Sequence, residues 1–431
     1  MSGDEFPEAL QIEVTNKCNF NCQMCIRRVW NAKPLDMDMA LYRKIAKTCF
    51  TKLKRLVLYG FGEPFIHPQI LEMLRIARES LPKDGEIIIS TNGSLITTKI
   101  SDKIVKDAFA GSIFFSVDTV NQAKLSRLRE GSDFSLIANN IEKIAKSRNR
   151  AAGDFRLGLE TVLMNDNFLD LPELVRFAAE KDIDYIIASH VVPHTEEIYA
   201  KVMYLTLSKP TVEILRPSLK YGWRLIREST LELFGRAYGV KMETASTQLI
   251  QNFWNEAEKE GYWINLPLFL GSVEKLKALK SLEEVFHESR KIAYMYQIDL
   301  RLPNLYPDAK ERRCPYIEKK TLTVRSDGAV SPCQEFMYTH SVYVNAHRKN
   351  VREVIFGDLA KESVEEVWRQ DAYVNFREVR LDMAKNMPWC GDCPYSTMGC
   401  FYAGTNNVDC FANSPTCNEC LYSVNLAQCN I

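Results

Sequence analysis

From residue 10 to about 190 the chain alternates short apolar, β-branched runs with longer segments whose apolar positions recur three and four apart. The runs are Gln11–Thr15, Arg55–Tyr59, Glu86–Ser90, Ser112–Val117, Arg156–Met164 and Asp184–Ser189, each of strand length. Between them, Leu71–Ser80, Phe134–Lys146 and Leu169–Lys181 carry helical spacing. Parallel neighbours need a crossover, so a repeated strand and helix predicts an α/β fold with a parallel sheet, here a partial (β/α)6 barrel of the TIM type over residues 10–195. Residues 196–300 break the alternation with the charged helical segments Leu219–Leu233 and Val273–Tyr296, set off by Pro210, Pro217 and Pro267. They predict a helical insertion or bridge that shapes the substrate opening. Residues 301–431 are rich in Gly, Pro and Asn, with helical spacing only near Val351–Val379, and are expected to use cysteines in place of a conventional core.

Composition narrows the function classes. The 431 residues hold 55 Lys plus Arg and 55 Asp plus Glu, so no net charge drives binding to nucleic acid or to an anionic membrane. No apolar run reaches the length of a spanning helix, and Met1–Leu10 lacks the regions of a signal peptide, so a cytoplasmic protein is expected. Thirteen cysteines is the unusual count. An odd number cannot all pair, and metal ligation by thiolates accounts better for them than disulfides. Cys18, Cys22 and Cys25 lie together, Cys49 sits in a helical pattern as a core residue, and nine more run from Cys314 onward, which implies ligand sets on separate parts of the chain.

The first set, Cys18-x3-Cys22-x2-Cys25, follows the first strand, where α/β enzymes build their sites. Three thiolates satisfy three irons of a cubane and leave the fourth open to a small molecule. The spacing alone also allows zinc with a fourth ligand or three cysteines on one helix face, although Asn16, Asn19 and Asn21 favour a loop. The next strand ends in Tyr59-Gly60-Phe61-Gly62-Glu63-Pro64, a turn whose glycines admit close backbone approach and whose Glu63 offers a carboxylate to an ammonium group.

Together the two motifs resemble the radical S-adenosylmethionine (SAM) superfamily over residues 10–190. The resemblance implies that Cys18, Cys22 and Cys25 hold a [4Fe–4S] cluster whose fourth iron is chelated by SAM. It further implies that Gly60, Gly62 and Glu63 receive the methionine amine, that Ser90, Asn92, Ser116 and Asp118 contact ribose or methionine, and that Arg129 pairs with the SAM carboxylate. The activity implied is reductive cleavage of SAM to a 5′-deoxyadenosyl radical, which must be shielded from solvent.

Cys314-x13-Gly328-x4-Cys333 is similar to the opening of the SPASM domain, an extension of radical SAM enzymes that carries two auxiliary [4Fe–4S] clusters. By that resemblance Cys314, Cys333 and Cys410 serve one cluster and Cys390, Cys393 and Cys400 the other, with Cys417, Cys420 and Cys429 competing for the remaining places. The later spacings depart from the pattern. Zinc ribbons built from Cys390-x2-Cys393 and Cys417-x2-Cys420 are the alternative.

The tail from Asp409 to Cys420, with Cys429 beyond it, and the segment Cys25–Trp30 resemble maturases associated with tungsten-cofactor oxidoreductases. The partners implied are a protein substrate, the tungstoenzyme or its cofactor, and an external low-potential donor such as a ferredoxin or flavodoxin. One alternative is a maturase that crosslinks a ribosomal peptide, against which stand only seventeen residues before Cys18. Another is a noncatalytic iron–sulfur carrier or redox sensor. Sulfatase maturation fits less well, because Gln334 follows Cys333 where that family has Asp. Glu335 is read as a solvated carboxylate sooner than as a base.

Overall fold

A computed structural model describes residues 6–106, 111–149, 155–240 and 244–431; Met1–Glu5, part of the start read for a signal, lie outside them. The six expected strands form as β1 (Ala9–Ile12), β2 (Arg55–Val57), β3 (Glu86–Thr91), β4 (Ser112–Ser116), β5 (Arg156–Leu163) and β6 (Tyr185–His190). They pair in that order, all parallel. Helices Met39–Cys49, Ile70–Ser80, Phe134–Arg148 and Leu171–Glu180 fall in the connections. Asp38 and Asp133 cap the first and third of these by accepting from backbone N–H groups of the first turn.

Two further parallel strands flank the six. β7 (Asp299–Arg301) pairs with β6, and β8 (Thr321–Val324) pairs with β1 in the register Ala9↔Thr321 to Ile12↔Val324. Beyond β8, the strands β9 (Ala329–Ser331), antiparallel to it, and Gly357–Asp358 complete one open ten-stranded sheet. The sheet therefore crosses the expected boundary at residue 301. Nor do cysteines replace a core there: Leu322, Val330, Phe336, Trp368, Tyr373 and Phe376 belong to the same buried cluster as Leu10, Ile12, Leu56 and Ile89. Within Val351–Val379 only Val364–Arg369 and Asp371–Arg380 are helical.

Alternation along the strands sorts the side chains onto two faces. Leu56, Ile87, Ile89, Ile113 and Phe115 pack under the helices, while Val57, Tyr59, Ile88, Phe114, Tyr185 and Ile187 form a smaller apolar cluster on the other face. The chain's last residues lie against that inner face: Tyr59 OH donates to the Asn430 carbonyl at 2.6 Å, and Arg55 donates to the Ile431 carbonyl at 3.0 Å. In residues 196–300 the helix Val273–Met295 packs outside Leu171–Glu180, where Arg176 meets Glu288 at 2.9 Å. No helix among the described residues is long and apolar enough to cross a membrane.

Candidate functional site

A cavity of ≈ 310 Å³ opens at the C-terminal ends of β1 to β6. Its wall includes Cys18, Cys22 and Cys25, so the first loop turns all three thiols toward one space. Cys22 sits in a two-residue ladder with Arg129, and Cys25 precedes a 3-10 turn at Ile26–Arg28. The Phe20 N–H points at Cys18 Sγ from 3.4 Å, the orientation a thiolate favours. Burial pushes the thiol of Cys22 up to about 12 and raises those of Cys18 and Cys25, with Arg129 and Arg27 opposing the effect. These thiols lose their protons when a metal takes them.

The Gly60–Glu63 turn lies against that loop. The Glu63 N–H donates to the Lys17 carbonyl at 2.7 Å, and a Cβ on Gly62 would stand 2.1 Å from the Thr15 carbonyl oxygen. On Gly60 it would stand 2.5 Å from the Glu13 side chain. The Glu63 carboxylate accepts from Thr91 Oγ1 at 2.7 Å, Asn92 N at 2.6 Å and Phe65 N at 3.1 Å. Its first duty is thus to hold the end of β3, and burial pushes it up to about 7. Asn92 donates to Asn19 at 2.8 Å, while Ser90 donates to Glu160 at 2.6 Å. Ser90, Asn92, Ser116 and Arg129 all line the cavity.

Asp118 does not line it. It stands behind Arg129 and grips the guanidinium through two bonds of 2.7 and 2.9 Å while accepting from Val162 N. Its expected contact with SAM is thereby corrected to that of a residue positioning Arg129. Among the described residues, none of the helical span 196–300 lines this cavity. Val191, Val192, His194, Tyr422 and Gln428 complete the lining.

Several residues of the site were not singled out in the sequence. Glu13 accepts from the Phe61 N–H at 3.0 Å and from Tyr338 OH, tying the glycine turn to the C-terminal part; burial pushes its carboxyl up to about 7. Glu160 follows the same strand alternation as its apolar neighbours and carries no motif. Glu335 is half-buried and accepts from the buried His340 at 3.0 Å, so it is not a fully solvated carboxylate, and His340 packs edge-on against His194.

A second cavity, ≈ 70 Å³, is lined by Cys314, Cys333, Cys417, Cys420 and Cys429. Val192 and Tyr422 line both cavities and form the wall between them. Cys390, Cys393, Cys400 and Cys410 make a separate group: burial raises the thiols of Cys390, Cys393 and Cys410, and neighbours within the group add to the rise. Cys410 thus joins Cys390, Cys393 and Cys400, not Cys314 and Cys333, which corrects the expected division. Of the two CxxC pairs, Cys417 and Cys420 line the second cavity, whereas Cys390 and Cys393 do not. Arg312 and Arg380 are both buried, and their donors meet backbone carbonyls, Ser423 Oγ and, at 3.3 Å, Cys417 Sγ. Among the described residues neither forms an ion pair with a carboxylate, and the charges nearest Arg312 are those of Cys420, Cys417 and Cys390, which fits a set of thiolates that carries negative charge.

Residues 12–178 match the Radical SAM superfamily, and residues 314–394 match SPASM, an iron–sulfur cluster-binding domain. Fold and site together define an enzyme with radical SAM and SPASM domains, a class that works with iron–sulfur clusters and SAM. It is 26% identical to the tungsten-containing aldehyde ferredoxin oxidoreductase cofactor-modifying protein of Pyrococcus furiosus, over 98% of this chain and 97% of that one. It is also 28% identical to a probable GTP 3′,8-cyclase of Methanocaldococcus jannaschii, over 48% of this chain and 65% of the relative. Among solved structures, Streptococcus suis SuiB bound to S-adenosylmethionine gives a TM-score of 0.53 at 13% identity, covering 87% of this chain and 68% of SuiB. Native anSMEcpe with bound AdoMet and a peptide gives 0.51 at 13% identity, covering 90% and 87%. At these identities the likeness is one of fold.

Proposed function

We propose that the chain matures a tungsten-cofactor oxidoreductase, modifying either its cofactor or its polypeptide. The observation that carries the reading is the near end-to-end similarity to the Pyrococcus furiosus cofactor-modifying protein. Cys18, Cys22 and Cys25 hold the cluster that binds SAM. When both are bound, that pair supplies one-electron cleavage of the sulfonium bond and so the 5′-deoxyadenosyl radical.

The chain's own residues bind, orient and enclose. Arg129, locked by Asp118, keeps a positive charge beside the thiolates and toward the SAM carboxylate. Gly60 and Gly62 bring backbone groups against the first loop, and Glu63 fixes the turn at Thr91 and Asn92, which leaves one carboxylate lone pair for the methionine amine. Ser90 and Ser116 offer hydroxyls to the ribose or the methionine part. Val192 and Tyr422 separate this space from the cavity lined by Cys314 and Cys333.

Two auxiliary clusters complete the enzyme, one among Cys314, Cys333, Cys417, Cys420 and Cys429, the other on Cys390, Cys393, Cys400 and Cys410. A ferredoxin or flavodoxin supplies the electron. The test is anaerobic incubation of the reconstituted enzyme, SAM and reductant with the cofactor-bearing precursor of a tungsten oxidoreductase, followed by mass spectrometry of cofactor and polypeptide. A SAM-dependent mass change is expected. Formation of 5′-deoxyadenosine with neither component altered overturns the reading.

A further inference from the structure

An open groove of ≈ 820 Å³ lies outside the SAM cavity, between the segment that follows the first loop and a hairpin of the C-terminal part. The hairpin strands are β10 (His340–Val344) and β11 (His347–Val351). Along β11 the burial alternates, with Lys349 and Val351 turned inward and Arg348 and Asn350 outward; Arg352 continues the outward row. Lys33, from the segment after the first loop, also lines the groove. Lys33, Arg348 and Arg352 are exposed, and none has a carboxylate partner among the described residues. The groove's two acids, Asp327 and Glu353, are both taken by Arg325.

Three unpaired cations facing one concave space repel one another, and the repulsion is relieved when a compact anion sits between them. Two of the three are arginines, whose forked donors match phosphate oxygens. Buried polar groups, Asn16, Ser326 and Ser341, lie between the rims.

The groove also has a defined relation to the site. Asn16 lies two residues before Cys18. Tyr338 of the groove packs on Trp30, at 4.4 Å between ring centroids, and Trp30 packs on Phe61 of the SAM cavity at 5.6 Å. These three rings, with Glu13 bonded to both Phe61 N and Tyr338 OH, lie between the two spaces.

We propose that this groove binds the phosphate group of a small, phosphate-bearing substrate, whose remainder passes the Trp30–Phe61–Tyr338 partition toward the first loop. The inference rests on the maturation reading and sharpens it by naming a chemical class for the substrate, a small phosphate ester.

The experiment is isothermal titration of the reconstituted holoenzyme with inorganic pyrophosphate, with inorganic phosphate, and with an acidic Glu-rich peptide. The proteins are the wild type, a double Arg348→Ala, Arg352→Ala variant, and a separate Lys33→Ala variant; a preserved melting transition confirms that each is folded. Pyrophosphate is expected to bind in the millimolar range or tighter, more weakly as salt rises, and at least tenfold more weakly to the double variant. No pyrophosphate binding, equal binding by wild type and double variant, or preference for the peptide overturns the proposal. Because no tungstoenzyme takes part, pyrophosphate binding that survives a failed maturation assay sinks only the earlier reading. A working maturation assay without pyrophosphate binding sinks only this one.

Discussion

Two buried glutamates carry much of the site's internal order. Glu13 and Glu63 each receive N–H and O–H donors from segments distant in sequence, and burial pushes both up to about 7. For Glu13 the direction of the pH effect follows. The folded chain holds this proton more tightly than the unfolded chain, so stability is fully present below the ordinary carboxyl value of 4.5 and is lost as pH rises toward 7. Relative to Glu13→Gln, the wild type should lose about 1 kcal/mol between about pH 6 and about pH 8. Urea midpoints of both proteins at the two pH values measure this, and a gap that does not change with pH contradicts it. The cysteines were legible because three thiols in eight residues have few structural uses. Glu13 was not: one acid in an apolar strand gives no sign of the Tyr338 hydroxyl that meets it from over three hundred residues away.

Strands and helices of the first half were readable because each has a period and a stop, and the observed boundaries differ from the expected ones by a few residues. The glycine turn was readable as a motif, but the reason for its glycines is the approach of the first loop. Gly62→Ala puts a Cβ against the Thr15 and Lys17 carbonyls, which are backbone and cannot swing aside. We expect this variant to lose the iron of the first cluster and keep the auxiliary iron; full iron content would contradict the account. The cysteine-rich part was legible as a ligand field but not as two sets, because spacing along a loop does not say which turns meet. The observed grouping predicts that Cys410→Ser depletes the same iron as Cys390→Ser, and that Cys420→Ser depletes the same iron as Cys314→Ser. Spectra of the four variants decide it, since swapped pairings would restore the division expected from the SPASM pattern.

At the scale of the whole molecule, the barrel and the iron–sulfur part share one sheet and one core. β8 covers the edge of β1, and the terminal Asn430 and Ile431 carbonyls accept bonds from Tyr59 and Arg55 on the inner face. The sequence could not announce this joint, because Thr321–Val324 is too short and too ordinary a run to be read as the partner of a strand at residue 9. Expression of residues 1–310 alone should leave the β1 edge unpaired and split the apolar cluster, giving an aggregating or noncooperative product. A soluble fragment with a sharp urea transition would show that the first part folds by itself.

The central claim is that three thiols of the first loop hold a cluster with one coordination place left for SAM. Its most direct test is anaerobic reduction of the iron-replete protein with SAM, with chromatography for 5′-deoxyadenosine, on the wild type and on Cys18→Ala. The account predicts the nucleoside from the wild type and none from the variant, while auxiliary iron stays bound in both. Persistent absence of the nucleoside from the iron-replete wild type, or its undiminished formation by Cys18→Ala, would contradict it.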